Sequence, residues 1–291
     1  MSPDREAIGD IANPLGLAGI EFIEFIEYST SKPQALGQVL ETIGFRPVAR
    51  HRSREVMLYR QGEMNVIVNA HNAVPSRGAP HGERPRIAAI ALRVRDAAAA
   101  YRRALDRGAW AVPTQVEPME LHIPAIHGVG ASRLYFIDRW KEFSIYDVDF
   151  VPIPTVNRTP PAIAGLRWFG VVQYIGNDRV NDWTEFYREL FGFSELPDDQ
   201  RFGVLPKGRV LQSPCGTFYL QLIEPGIFDV EGDELLSRVA LGTPDVLAAV
   251  AEWRARGMEF VESPEVHSGV RGALTQPVLD GVGFELVHID G

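Results

Sequence analysis

The chain contains few of the residues that build disulfide frameworks or cross membranes. Among its 291 residues, Cys215 is the single cysteine, which excludes an intrachain disulfide. No apolar run reaches the roughly 18 residues that a membrane-spanning helix needs. The polar start at residues 1–6 does not have the pattern of a signal peptide. These absences predict a cytoplasmic protein that has no membrane partner.

The chain also has fewer basic than acidic residues. Lysine and arginine together number 29 against 38 acidic residues, which gives a formal net charge of −9. A protein that binds nucleic acid needs a basic surface to neutralise phosphates, and this composition argues against such a partner. A small anionic ligand needs only one or two local cations, so the net charge does not exclude one.

The sequence repeats itself after about 148 residues. Residues 22–27, an alternation of apolar and acidic residues, correspond to residues 170–175. A helix-like segment at 34–45 corresponds to 183–193, and both segments end at Gly-Phe. The repeat predicts two modules of one design, each large enough to bury its own core.

Each module reads as strand, helix and three strands, then strand, helix and closing strands. This order describes paired β-α-β-β-β units in an α+β protein, with a concave sheet face that could hold a ligand or metal. In the second module, three strands are expected at 201–205, 208–213 and 216–223. The predicted organisation is an N-terminal leader at 1–16, a first module at 17–151, a proline-rich linker at 152–164 and a second module at 165–291.

Several stretches resemble one protein family. They include His51-Arg52-Ser53, residues 58–63 (Leu-Tyr-Arg-Gln-Gly-Glu) and residues 144–150 (Ser-Ile-Tyr-Asp-Val-Asp-Phe). Together with the order of elements, they resemble the vicinal oxygen chelate superfamily and, within it, the 4-hydroxyphenylpyruvate dioxygenase family. The resemblance implies two tandem vicinal-oxygen-chelate modules, the first structural and the second carrying the site.

The family resemblance also implies a metal site that this sequence does not complete. The family holds Fe(II) with two histidines and one glutamate of the second module. The first histidine position falls here on Gly170 or Phe169, the second on Arg238, and the glutamate on Glu285. An arginine is a permanent cation without a lone pair to donate. We therefore expect no cofactor, and Fe(II) only if the chain is a dioxygenase after all.

Glu285 and Arg238 are the central candidate site residues. The resemblance directs Glu285 into the module interior, where it would be the one plausible acid or base. Arg238 could pair with Glu285 and replace the charge of the metal, or bind the carboxylate of a ligand. Arg238 could instead reach the surface as an ordinary strand residue.

Three glutamines are further ligand-binding candidates. Gln276 matches a glutamine that contacts substrate in the family. Gln173 either faces a ligand or is a strand residue satisfied by its neighbours. Gln221 stands where the family has a proline.

Two other parts of the sequence bear on the question of a metal site. His122 and His127 are separated by a proline, and no third ligand is evident beside them, so they are interpreted as surface or hydrogen-bonded histidines. In the first module, the positions equivalent to the metal ligands are Phe22, Ala89 and Tyr146. This set predicts an apolar face that only supports the second module.

Three functional hypotheses follow. The first is a metal-independent relative of the dioxygenase that binds, and in one version transforms, a small aromatic or 2-oxo carboxylic acid. The second is an Fe(II)-dependent dioxygenase that acts on 4-hydroxyphenylpyruvate or a close analogue. The third is a non-catalytic structural or regulatory protein whose interior is filled by Trp168, Phe169 and an Arg238–Glu285 bridge. The resemblance also suggests a homo-oligomer.

Overall fold

A computed structural model describes residues 18–70, 84–113, 121–140, 143–197, 200, 202–204, 208–224 and 233–290. The predicted leader at 1–16 lies outside these ranges. The described strands are β1 Ile20–Ser29, β2 Arg46–His51, β3 Val56–Gln61, β4 Met64–Asn69, β5 Arg86–Val94, β6 Ala125–His127, β7 Arg133–Ile137, β8 Phe150–Pro152, β9 Arg167–Tyr174, β10 Ser194–Glu195, β11 Arg209–Gln212, β12 Tyr219–Ile223, β13 Leu235–Thr243, β14 Gly272–Leu274 and β15 Phe284–His288. The helices are α1 Pro33–Thr42, α2 Ala97–Asp106, α3 Ile145–Asp149, α4 Val180–Phe191 and α5 Val246–Ala255.

The strands form two halves with the same pairing scheme. In the first half, β1 pairs in parallel with β4 and antiparallel with β5, and β5 pairs in parallel with β7. In the second half, β9 pairs in parallel with β12 and antiparallel with β13, and β13 pairs in parallel with β15. The halves meet where Leu236 of β13 lies opposite Ile87 of β5. The sequence repeat is therefore a repeat of topology.

Local sequence signals explain where the helices begin and end. The side chains of Asp96 and Asp245 cap α2 and α5 by accepting hydrogen bonds from Ala99 N (2.8 Å) and Ala248 N (2.9 Å). Helix α4 ends at Gly192, which adopts a left-handed conformation that glycine reaches without steric cost. These signals mark the ends of the helices. Each of the three helices follows the first strand of its β-α-β-β-β unit.

The helices cover one side of the sheet, where the main hydrophobic core lies. Leu36 of α1, Tyr187 of α4 and Trp253 of α5 pack in the same buried cluster as Val239 and Leu286 of the sheet. Side chains alternate along a strand, so the strand residues next to Val239 and Leu286 face the opposite, concave side of the sheet. That alternation decides which side chains line each candidate site.

Gln61 connects the proline-rich segment between the two halves to the first module through hydrogen bonds. The buried amide of Gln61 donates to Ile43 O (3.0 Å) and accepts from Ile163 N (2.9 Å). The next residue, Gly62, donates its backbone N–H to Pro160 O (2.8 Å). One polar side chain thus links the end of α1 to the proline-rich connection.

The predicted α+β fold of two tandem modules is confirmed. The strand predicted at 201–205 is wrong for its described part. Residues 202–204 are irregular, because Gly203 takes a positive φ of 66° that turns the chain out of the extended conformation. Among the described residues, no helix is both long enough and apolar enough to span a membrane.

A close approach between the halves predicts a stability difference between two glycine variants. Gly130 and Gly108 both have positive φ, and a Cβ at Gly130 would lie 1.9 Å from Glu234 O, whereas one at Gly108 would meet nothing within 4 Å. Gly108→Ala should cost about 1–2 kcal/mol for the backbone conformation alone. Gly130→Ala should cost about 1–3 kcal/mol more, because the backbone of β13 must move. Thermal unfolding checks this, and equal melting temperatures would contradict the contact.

Candidate functional site

The candidate site lies on the concave face of the second module. Glu285, Ala240, Gly170 and Tyr219 form one row across β15, β13, β9 and β12. Arg238 lies on the same face, two residues before Ala240. The sheet register therefore brings together the positions that the family resemblance singled out, although they are far apart in sequence.

Arg238 and Glu285 form a buried ion pair. Arg238 Nε donates to Glu285 Oε2 at 3.2 Å, and the two residues are only 6% and 3% exposed. Of the three roles considered for Arg238, this geometry corresponds to pairing with Glu285. The guanidinium therefore supplies the positive charge beside this buried carboxyl group.

Burial dominates the electrostatics of this pair. Desolvation raises the pKa of Glu285 above its ordinary value, while Arg238 and the N–H of Val204 act in the opposite direction. Arg238 Nη2 is also buried, and no described residue accepts a hydrogen bond from it. The pair is thus held by a single hydrogen bond in a poorly solvated place, where each partner depends on the other.

A short segment covers the pair from the concave side. The backbone N–H of Val204 donates to Glu285 Oε1 at 3.4 Å. The preceding Gly203 lies so close that a Cβ there would be 2.0 Å from the same oxygen. The backbone of Gly203 and Val204 therefore separates Glu285 from solvent and fills the space above its carboxyl group.

Three aromatic rings fill the rest of this face. Phe169 stacks on Tyr219 with ring centroids 4.7 Å apart, and Phe202 packs edge-on against Phe169 at 5.1 Å. Phe202 also packs against Tyr219 at 4.7 Å. Together with Ala240 and Val287 they form a separate hydrophobic cluster on the concave side of the sheet.

Gly170 and Phe169, the two candidate counterparts of the family's first histidine, lie in different surroundings. A Cβ at Gly170 would lie 2.2 Å from Tyr219 O, so no side chain fits there without separating β9 from β12. Phe169 sits at an irregularity in the pairing of β9 with β13, and its ring points into the concave cluster. Of these two positions, Phe169 is therefore the one whose side chain reaches the concave face. Trp168, predicted to fill the same interior, packs instead in the main core, against Phe45 of the first module.

The three candidate glutamines lie in different environments. Gln221 shares the row of Arg238 through Val172 and is half-buried on the concave side. Gln173 faces the helices instead, where its Oε1 accepts a hydrogen bond from the Tyr187 hydroxyl at 2.9 Å. Gln276 is exposed after β14, and its backbone N–H donates to Glu259 O. Of the three, only Gln221 shares a sheet row with a member of the ion pair, two strands away from Arg238.

This set of side chains does not fit the Fe(II) centre of the family. Iron needs neutral imidazoles and carboxylates with open positions, whereas here Glu285 is engaged by a guanidinium and covered by Gly203. Within the described ranges, no group of three or more His, Cys, Asp or Glu side chains could hold a metal ion. His122 and His127 accordingly belong to no such group.

A cleft of about 890 Å³ opens above the filled face. Its floor includes Phe169, Phe202 and Tyr219. The sequence alone did not predict that these three rings lie together. Arg93 of the first module and Arg271 of the second line the cleft, together with the acidic Glu63 and Asp290. An aromatic floor with an exposed arginine beside it suits a small aromatic anion.

The concave face of the first module is not apolar, contrary to the sequence-based expectation. The Tyr146 hydroxyl donates to Glu24 Oε1 at 2.8 Å, and Arg93 Nε lies 2.5 Å from Glu24 Oε2. Asn65 donates to the same carboxylate at 3.2 Å. The signal was present in the glutamates that alternate with apolar residues along β1, but the family resemblance drew attention to the ligand-equivalent positions instead.

The ion pair predicts a pH-dependent loss of stability in Arg238→Met. Removing one partner from a buried pair costs about 3–5 kcal/mol, because the other charge is left uncompensated. The variant should raise the pKa of Glu285 further. Between the unfolded and folded pKa values the folded state then binds more protons, so stability falls as pH rises. Denaturant unfolding of the variant and of the unmodified protein can be measured at about pH 5 and about pH 8. The loss of unfolding free energy in the variant should be larger at the higher pH.

The matched control is Arg238→Met combined with Glu285→Gln, which removes the titrating group and should make the loss independent of pH in this range. An equal loss at both pH values in the single variant would contradict a charged Glu285 beneath Arg238.

Comparisons with known proteins agree with this fold. A sequence model described as hydroxyphenylpyruvate dioxygenase, N-terminal, matches residues 11–151. Hemolysin VllY of Vibrio vulnificus (strain CMCP6) is 35% identical over 273 residues, covering 89% of this chain and 76% of that protein. A 4-hydroxyphenylpyruvate dioxygenase of Pseudomonas sp. (strain P.J. 874) is 36% identical over 270 residues, covering 87% and 73% respectively.

Solved structures share the fold at lower identity. A fusion of a xylose isomerase-like TIM barrel with a 4-hydroxyphenylpyruvate dioxygenase has a TM-score of 0.74 at 24% identity, covering 96% of this chain and 51% of that one. A mutant of 4-hydroxymandelate synthase from Streptomyces coelicolor has a TM-score of 0.72 at 19% identity, covering 94% and 93%. With relatives that share more than 30% identity across most of both lengths, the chain belongs to the 4-hydroxyphenylpyruvate dioxygenase family.

Proposed function

We propose that this member of the family binds a small aromatic carboxylic acid in the cleft of its second module, without Fe(II) at the position of the family's metal. The aromatic ring would lie on the Phe169–Phe202–Tyr219 floor. The carboxylate would face Arg271. A 2-oxo acid with an aromatic ring belongs to the same ligand class.

The observation that carries this proposal is the buried Arg238–Glu285 pair. Its 3.2 Å contact satisfies the one carboxylate that the family's ligand set retains here. A divalent cation entering this place would have to displace a guanidinium and would be repelled by it. Glu285 alone offers too few donors for a stable iron centre.

The cleft supplies the groups that such a ligand needs. Tyr219 and Phe202 line the cleft, and an offset or edge-on contact between aromatic rings adds about 0.5–1.5 kcal/mol beyond burial. Arg271 lines both this cleft and a smaller one beside it, and its side chain is exposed. A guanidinium binds a carboxylate through two parallel hydrogen bonds, which would orient the ligand.

Binding is better supported than proton transfer by Glu285. A general acid or base must come within hydrogen-bond reach of the group that it serves. The backbone of Gly203 lies between Glu285 and the cleft, and Glu285 is 3% exposed. In this arrangement Arg238 stabilises the floor of the site, and a cleft ligand contacts neither member of the pair.

The second candidate function is the Fe(II)-dependent dioxygenase activity of the family. Its support is membership of the family and the retained Glu285. It requires a different arrangement of the second module, in which Arg238 leaves Glu285 and other donors complete the metal site. A purely structural or regulatory role is favoured only by the filled concave face.

Metal analysis separates these candidates. After expression and purification with Fe(II) under anaerobic conditions, the protein should hold well below one equivalent of iron per chain. Phe169→His combined with Arg238→His would place two imidazoles beside Glu285. This double variant should bind Co(II), followed by its visible absorption, at least about tenfold more tightly than the unmodified protein. Phe169→His alone is the control, because it keeps the repelling guanidinium.

Stoichiometric iron in the unmodified protein, with oxygen consumption on adding 4-hydroxyphenylpyruvate, would contradict the proposal and establish the second candidate.

A thermal-shift titration tests the ligand class. Either 4-hydroxyphenylpyruvate or 4-hydroxyphenylacetate should raise the melting temperature, since a ligand at 100 times its dissociation constant stabilises by about 2.7 kcal/mol. Arg271→Ala should weaken binding about tenfold through the lost carboxylate contact. Arg256→Ala is the matched control, because Arg256 pairs with Glu252 on the surface of α5, away from the cleft. Equal shifts in both variants, or no shift with either acid, would refute the proposed ligand site.

A further inference from the structure

The first module contains a small pocket of its own on the concave face. It has a volume of about 150 Å³ and lies between β1, β4, β7 and helix α3. Phe25, Ile67, Ile145 and Phe150 form apolar walls. An engineered apolar cavity of about 150 Å³ holds a benzene molecule, so this space suits one six-membered ring.

One end of the pocket is polar and largely buried. Glu27 of β1 is 5% exposed, and Asn69 Nδ2 donates to its Oε1 at 2.9 Å. Tyr135 of β7 lines the same pocket, and its hydroxyl oxygen accepts from Arg133 Nη1 at 3.0 Å. A phenolic oxygen that accepts from a guanidinium still has its own proton to donate. A carboxyl group has capacity for more than one hydrogen bond.

The charges at this end favour a neutral ligand. Desolvation raises the pKa of Glu27, and the positive charge of Arg133 acts in the opposite direction. The carboxylate of a ligand placed beside Glu27 would be repelled by a negative charge on that carboxyl group, whereas a neutral ligand would not. The other charged or titratable side chains that line the pocket are His51, Arg54 and Asp149.

An unsubstituted hydrocarbon would match the walls but not this polar end. Burying Glu27 and Tyr135 against a hydrocarbon would leave their remaining hydrogen-bonding capacity unmet, which is unfavourable. A hydroxyl group on the ring can donate to the carboxyl group and accept from the phenol. It therefore complements both groups at once.

We propose that this pocket binds a small neutral monocyclic phenol, with its ring among Phe25, Ile67 and Phe150 and its hydroxyl between Glu27 and Tyr135. The site belongs to the first module and is separate from the cleft of the second. It does not depend on the function proposed for that cleft.

Fluorine NMR with two matched probes tests this site. The probes are 4-fluorophenol and fluorobenzene, which differ by the hydroxyl group. We expect 4-fluorophenol to bind with a dissociation constant of about 1 mM or lower, and fluorobenzene at least about tenfold more weakly. Tyr135→Phe and Glu27→Gln should each weaken 4-fluorophenol binding about tenfold and leave fluorobenzene unchanged.

Two control variants locate the binding. Tyr219→Leu alters the cleft of the second module and should not change 4-fluorophenol binding, and Glu252→Gln on the surface of α5 should also have no effect. Ile67→Phe should abolish binding of both probes by filling the pocket. If Ile67→Phe does not fold, the near-isosteric Tyr135→Phe and Glu27→Gln still decide the question.

Absence of 4-fluorophenol binding, equal affinity for the two probes, or binding unaffected by Tyr135→Phe and Glu27→Gln would each overturn the proposal. Loss of binding in Tyr219→Leu would assign the probe to the other module and overturn it as well.

Discussion

The buried ion pair between Arg238 and Glu285 is the interaction on which the second module depends. A carboxylate in a poorly solvated place needs a counter-charge, and a metal ion or a cationic side chain can supply it. Here the guanidinium does so, from the neighbouring strand of the sheet. Once it is in place, the concave face can close with the Gly203 backbone and aromatic rings, because no open coordination positions have to be kept.

The two modules use the same face of one topology in different ways. The first module places buried carboxyl groups, Glu24 and Glu27, among hydrogen-bonding partners and leaves a small pocket. The second module places one carboxyl group under a covering segment and moves the accessible space outward to a cleft. The proposed binding at the mouth of a filled module would be a different use of the fold from chemistry at a metal in its interior.

Much of this architecture could be predicted from the sequence, because the repeat and its helix-ending glycines are local signals. Placing Arg238 beside Glu285 needed the strand register, which the family resemblance supplied. Gln173 could not be assigned in this way: a bulge next to Phe169 decides which β9 residues face the helices, and a bulge depends on the pairing of strands rather than on composition. The covering role of Gly203 was missed for a similar reason, since its positive φ is a property of the folded chain.

Anomalous X-ray diffraction at the iron edge, on crystals grown anaerobically with Fe(II), tests the central claim most directly. The account predicts a guanidinium in contact with Glu285 and no anomalous peak within bonding distance of its carboxyl group. An iron peak bonded to Glu285, with Arg238 turned away, would contradict it.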